Sequence, residues 1–340
     1  MNKWYRNNGD QGDVVLSTRI RLARNLDAYP FPARLDAAGK QQVLDTVRKA
    51  LLTDDANENK SPDFTYIEMK NLTRTQAVAL AERHLISPEF AAAREGRALL
   101  VSPDEAVSLM LCEEDHIRLQ VMQPGLALAV AYDIANKVDT LLDSRVQYAF
   151  DERIGYLTQC PTNLGTAMRA SVMLHLPALT QLGQLARLSG TVSKLGLTIR
   201  GAFGEGSQSS GDIYQLSNQI TLGITEQAAI ENLQSITLQL IQQERSAAAE
   251  FCRRLPEQDR IFRALGTLQF ARLLSAAEFM RHISLVRMGA AHGLIDLPLE
   301  KVNELIVQMQ PATINAAQNK DLEAEERDSV RADLVREVLG

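Results

Sequence analysis

The chain has 340 residues, 45% of them hydrophobic, and a formal net charge of −6. That length suits a large core and two domains, and the acidic balance excludes a global basic field recruiting nucleic acid. No apolar run is long enough to span a bilayer.

The first residues, MNKWYRNNGD, lack the hydrophobic stretch of a secretory signal. Cys112, Cys160 and Cys252 are odd in number and show no CxxC spacing. They read as free thiols in a reducing compartment, so a cytoplasmic home is expected. In DVVLSTRIRLARNL the period is that of a strand. Val14, Leu16, Thr18, Ile20 and Leu22 share one face, and Val15, Ser17, Arg19 and Arg21 share the other. Two guanidinium groups two positions apart repel each other unless an anion lies between them. An exposed basic face paired with local acids fits that segment equally well. Residues 33–53 predict an amphipathic helix, 53–63 a polar loop, 64–69 a short strand, and 72–85 a helix capped by Asn71 or Thr73 that ends at His84.

Strands are predicted over 99–102 and 107–111. The second feeds CEEDHIR, Cys112 to Arg118, where three acids precede a strand whose Ile117, Leu119 and Val121 alternate with His116, Arg118 and Gln120. A turn there can aim acids into a cleft. A helix is predicted over 132–150 and extended chain over 154–157. CPTNLGTAMRASVMLHLPAL opens with a Pro/Asn/Gly loop and continues as a strand with Arg169 at its entrance. Cys160 precedes that loop, and a buried inert thiol is the commoner fate of such a residue. A helix is predicted over 179–195, then LTIRGAFGEGSQSSGDIYQLS: a short strand ending at Arg200, a Gly/Ser loop carrying Glu205, and a returning strand over 213–217. From 225 to 340 every predicted element is helical, and a domain boundary is placed near residue 245. In the last helix, RDSVRA puts Arg327, Asp328 and Arg331 on one face, ordinarily a solvated one.

The expected fold class is therefore α+β: a sheet whose strands deliver Arg19, Arg21, Arg118, Arg169 and Arg200 to one place, followed by a helical region. Arginine forks match phosphate oxygens and stay charged at every working pH. Five of them beside Glu114 and Glu205 suit a nucleoside triphosphate and phosphoryl transfer, with Mg²⁺ bridging phosphate oxygens.

STRIR, CEEDHIR, CPTN-LGTAMRAS and RGAFGEGS, in this order, resemble the signature stretches of the ATP:guanido phosphotransferases, or phosphagen kinases, over residues 14–244. The resemblance implies a mostly antiparallel sheet flanked by helices over 14–244 and an all-α C-terminal domain over 245–340. It implies ATP held by Ser17, Thr18, Arg19, Ile20 and Arg21, by His84 and Arg118, by Arg169, Ala170, Ser171, Val172 and Met173, and by Arg200, Gly201, Ala202, Phe203, Gly204 and Glu205. Glu114 and Glu205 would hold a guanidinium, and Cys160 would be the family's active-site cysteine. A protonated guanidinium is a poor nucleophile, with a pKa of about 12.5 or above. Two carboxylates can orient it and accept its proton, with Glu114 the leading base.

STRIR begins at residue 17, without the helical domain that precedes it in kinases of free arginine or creatine. With SNQITLG and RDxxRA, this order is similar to the protein-arginine kinase branch, and Phe203 replaces a loop arginine of the metabolite kinases. That branch implies protein substrates with exposed arginine and a homodimer formed by the helical domain. It also implies a McsA-like zinc-binding activator and a Clp ATPase/protease as partners, and a regulatory phosphoarginine site at Arg327, Asp328, Arg331 and Ala332. Three activities stay open: a protein-arginine kinase, a free-arginine kinase, and a phosphoarginine-binding adaptor of weak catalysis.

Overall fold

Val15–Arg24 forms strand β1, and it lies near the middle of an eight-stranded sheet. The computed structural model describes residues 3–52, 63–202 and 209–340. The other strands are β2 (Thr65–Glu68), β3 (Ala98–Val101), β4 (Val107–Leu111), β5 (Ile117–Pro124), β8 (Met168–His175), β9 (Leu197–Gly201) and β10 (Ile213–Asn218). Their spatial order is β2-β3-β4-β5-β1-β8-β10-β9, and each neighbouring pair is antiparallel. A separate two-stranded hairpin joins β6 (Phe150–Asp151) to β7 (Gly155–Tyr156).

One face of the sheet is apolar. Ile20, Leu22, Leu119, Val121, Ala170, Val172 and Leu216 are buried there. They pack in one core with residues of α1 (Ala37–Leu52), α4 (Leu128–Asp143) and the first half of α7 (Glu226–Arg253). The side chains of Thr18, Ile20, Ala170 and Val172 therefore turn away from the arginines. Thr18 instead holds the start of α4: its hydroxyl donates to the Gly125 carbonyl at 2.7 Å and accepts from the Ala127 N–H at 3.0 Å. The predicted alternation fails at one point. A register shift between Val15 and Ser17 leaves Val15 in the large core, while Leu16 packs instead with Met173 and the C-terminal helices.

Helix α2 (Arg74–Glu82) starts with a Thr73–Gln76 capping box, and α3 is a short turn, Pro88–Ala92. Two predicted helices differ from those observed. α4 begins four residues before Tyr132 and ends at Asp143, because Tyr148 returns to bridge Leu26 and bonds Asp139. The predicted helix over 179–195 is two, α5 (Pro177–Gln181) and α6 (Leu185–Lys194), broken at Gly183 with φ +66°.

Helix α7 runs unbroken through residue 245. Its Ile230, Leu233, Leu240 and Ile241 belong to the sheet core, and its Ala248, Phe251 and Cys252 to a second core. That second core is built by α8 (Leu255–Phe270), α9 (Ala276–Ala291), α10 (Leu299–Gln308), α11 (Pro311–Gln318) and α12 (Ala324–Leu339). Arg287 of α9, fully buried, joins the two parts by donating to the carbonyls of Gly12 and Asp13, each at 2.7 Å. A second tie runs from α2, where the Glu82 carboxylate accepts from the N–H groups of Ala312 (3.0 Å) and Thr313 (2.7 Å) at the start of α11. No described helix is long and apolar enough to cross a membrane.

Candidate active site

The register of β1 against both neighbours sets the arginines side by side. Arg21 stands opposite Arg169 on β8 and Gln120 on β5, Arg19 opposite Ser171, and Ala23 opposite Arg118. Since alternate residues share a face, Arg19, Arg21, Arg118 and Arg169 all stand on the face opposite the large core. Arg200 joins them through β10, being paired with Gln215, which is itself paired with Met173. All five line a cleft of about 650 Å³, together with His84. The sequence reading of the five arginines as one cluster is thus what the sheet builds.

Few carboxylates neutralise them. Arg19 donates to the Gln215 amide oxygen at 2.5 Å and the Ser171 hydroxyl at 3.4 Å, and Arg169 donates to the Ser217 hydroxyl at 3.2 Å. Among the described arginines of the cluster, Arg118 alone forms ion pairs, to Glu113 at 2.5 Å and to Glu114 at 3.5 Å. Burial, then repulsion from Arg169 and Arg118, pushes the Arg19 guanidinium down to about 10. Arg21 is lowered further by burial and by Arg19, Arg118 and Arg169, and Arg169 is lowered by burial and by Arg200 and Arg118. The Nε–H groups of Arg21 and Arg169 are buried without hydrogen bonds. Such orphaned, mutually repelling donors fit a polyanion: phosphate oxygens would satisfy them and relieve the repulsion.

His84 follows α2 in a left-handed conformation, φ +64°, its carbonyl accepting from Gln120 at 2.5 Å. Burial and Arg19 push its imidazole down to about 3, so it meets a ligand as a neutral ring. Beyond it, the CEEDHIR turn begins at Cys112, also left-handed at φ +59°. That twist turns Glu113 inward, onto Arg118 and the Ser87 hydroxyl. Glu114 is left half-open, and burial together with Asp115 and Glu113 raises its carboxyl above the ordinary value against the pull of Arg118. Asp115 accepts from the Asn25 amide at 2.6 Å and from the Gln159 N–H at 2.8 Å, which fastens the acid turn to the residue before Cys160. The Cys160 thiol lies 3.0 Å from the Thr162 hydroxyl. His116 is structural: its Nδ1 accepts from Leu26 and its Nε2–H donates to the Pro30 carbonyl.

Some predicted site residues lie elsewhere. Met173 packs in the second core, and Ser17 is buried beside it. Gly201 ends β9 and Ala202 packs against the second core, while Phe203, Gly204 and Glu205 lie outside the described residues. Arg331, expected on a solvated face, is fully buried, with its guanidinium on the carbonyls of Leu274 (2.7 Å) and Met309 (2.9 Å) and on Asp328 (2.6 Å). Sequence reasoning counted Glu113 and Asp115 among the acids of the turn without separating their roles, and it missed Gln215 and Ser217, whose only signal was polar residues recurring along β10.

Among the described residues no cluster of three or more His, Cys, Asp or Glu side chains could hold a metal. Residues 42–247 match the family profile of the ATP:guanido phosphotransferase C-terminal catalytic domain. The chain belongs to the ATP:guanido phosphotransferases. Residues 256–340 of this phosphotransferase match the protein-arginine kinase McsB C-terminal domain. Among curated proteins it is 45% identical to a protein-arginine kinase of Caldanaerobacter subterraneus subsp. tengcongensis, over 95% of this chain and 96% of that one. It is 42% identical to a protein-arginine kinase of Halothermothrix orenii, over 99% and 96%. Among solved structures, a duplicated taurocyamine kinase from Schistosoma mansoni with bound transition state analog components aligns with a TM-score of 0.63 at 27% identity. That alignment covers 75% of this chain and 37% of the duplicated one. A lombricine kinase aligns with a TM-score of 0.62 at 24% identity over 72% and 69%, a likeness of fold. The enzyme is a transferase that uses ATP.

Proposed function

We propose that this phosphotransferase moves the γ-phosphoryl group of ATP to arginine side chains of proteins. The match of residues 256–340 to the protein-arginine kinase C-terminal domain carries this reading, beside relatives of that name along nearly the whole chain. The five arginines hold the phosphates and offset the charge that spreads over the transferring group. The half-open Glu114, fastened through Asp115 to the Cys160 loop, orients the acceptor guanidinium. As the guanidino nitrogen bonds to phosphorus, the bond from phosphorus to the ADP oxygen breaks and the nitrogen's proton passes to Glu114. Glu205 is assigned the partner carboxylate. Mg²⁺ on the phosphate oxygens would supply further charge neutralisation.

The test is a labelled-ATP assay offering free L-arginine and an unfolded, arginine-containing protein. Acid-labile label mapped to protein arginine is the expected result. Label on free arginine alone would return the chain to the metabolite kinases, and binding of phosphoarginine peptides without any label would favour the adaptor.

A cytoplasmic homodimer, a zinc-binding activator and a Clp-type protease downstream belong to the same proposal and rest on resemblance. The RDxxRA helix is proposed as a phosphoarginine sensor. In its support, Arg331 Nη2 and Arg327 Nε are buried without hydrogen bonds.

A further inference from the structure

Four exposed apolar side chains border the Cys160 loop. Phe150 (56% exposed) and Ile154 (40%) lie on and beside the β6–β7 hairpin; Ile220 (50%) and Leu222 (52%) lie on the strap between β10 and α7. Single exposed apolar residues are ordinary, whereas a group of them on adjoining elements marks a contact surface. Both elements meet at Gly165. Tyr156 donates its N–H to the Gly165 carbonyl at 2.9 Å, and Thr166 donates to the Thr221 carbonyl at 3.0 Å. A Cβ on Gly165 would lie 2.2 Å from the Thr221 oxygen, so the backbones touch. The Thr221 hydroxyl donates to the Thr162 carbonyl at 3.0 Å, and the Thr158 hydroxyl to the Cys160 carbonyl at 2.8 Å. Hairpin, cysteine loop and strap are one continuous rim, tied through Asp115 to Glu114.

We infer that this rim binds the apolar residues flanking the acceptor arginine in unfolded protein segments. The inference rests on a protein arginine being the acceptor. Glu114 is tied through its neighbour Asp115 to Gln159 at the edge of the Cys160 loop, so the residues flanking an arginine held at Glu114 pass along the rim. In an extended segment, alternate neighbours face the same way and reach Ile220 and Leu222 or Phe150 and Ile154 together. Arginines with exposed apolar neighbours are scarce on folded surfaces and common in unfolded chains. The rim thus selects substrates by their folding state.

The test uses two short capped peptides with one central arginine, one flanked by leucine and valine, the other by serine and glycine. The wild-type protein is expected to show a KM about tenfold lower for the apolar peptide. The double variant Ile220→Ser/Leu222→Ser should abolish that difference while ATP affinity, measured by calorimetry, is unchanged. Ile154→Ser, on the other side of the rim, should reduce it in part. Equal KM values with the wild-type protein would overturn the inference alone, as would a shift in oligomeric state of the double variant with the preference intact. Label on neither peptide would overturn the acceptor assignment as well.

Discussion

Burial and the neighbouring Asp115 and Glu113 hold the Glu114 carboxyl above the ordinary carboxylate value. A base must be ionised to take a proton, so kcat/KM is expected to fall on acidification at a pH higher than free glutamate would give. Glu114→Gln should lower kcat by about 100-fold or more, erase that acid limb from the pH–rate profile and leave ATP affinity within about twofold. Glu113, its neighbour, faces Arg118 instead. Which of two adjacent acids stays half-open was not legible in CEEDHIR, because the left-handed Cys112 decides it, and no local preference puts a cysteine there. Arg24 shows the same limit. It continues the arginine-rich strand but serves packing, with its guanidinium 2.7 Å from Asp139 and 3.5 Å over the Tyr156 ring.

Elements carried most of what could be read. A period of two set Arg19 and Arg21 on one face of β1, where an exposed basic face fitted equally well, and it was the arginines of the other strands that pointed to a shared anion. The bulge at Val15 was hidden, because register depends on strands far away in sequence. The break at Gly183 was hidden because α5 and α6 are each good helices separately. Where three backbones converge, Gly165 has φ +99° and no room for a Cβ. Gly165→Ala is expected to cost at least about 2 kcal/mol in urea denaturation and to displace the Cys160 loop. The start of α5 is held by Glu244, whose carboxylate accepts from Ala178 (2.9 Å) and Leu179 (3.0 Å). Burial raises Glu244 to about 7 despite those two bonds, with Asp212 adding to the rise. Its folded pKa exceeds its unfolded one, so its contribution is full below about pH 4.5 and is lost as pH rises through about 7. Denaturation midpoints should fall across that window, and Glu244→Gln should flatten the slope.

At the scale of the molecule, the helical region is fixed to the catalytic one by buried polar ties, which hydrophobic periodicity cannot announce. Arg287 donates to Gly12, Asp13 and the Asn303 amide oxygen and touches His175 at 3.1 Å, while the other nitrogen of His175 meets Ser284 at 2.9 Å. Ser284 in turn donates to Asp212 at 2.7 Å, in the segment that follows the Glu205 loop in sequence. Arg287→Met should remove about 3 kcal/mol or more by stranding those acceptors, read as a lower urea midpoint. A composition shift located the change from sheet to helices, but a single helix, α7, serves both cores, so no linker marks it.

The central position of β1 has a consequence for synthesis. It leaves the ribosome ahead of both strands it pairs with: Arg19 bonds Ser171, 152 positions later, and Gly12 waits for Arg287, 275 positions later. At roughly 5–20 residues per second, β1 spends on the order of ten seconds or more with both polar edges unpaired. The newborn chain is itself, for that interval, an unfolded protein displaying arginines among apolar residues.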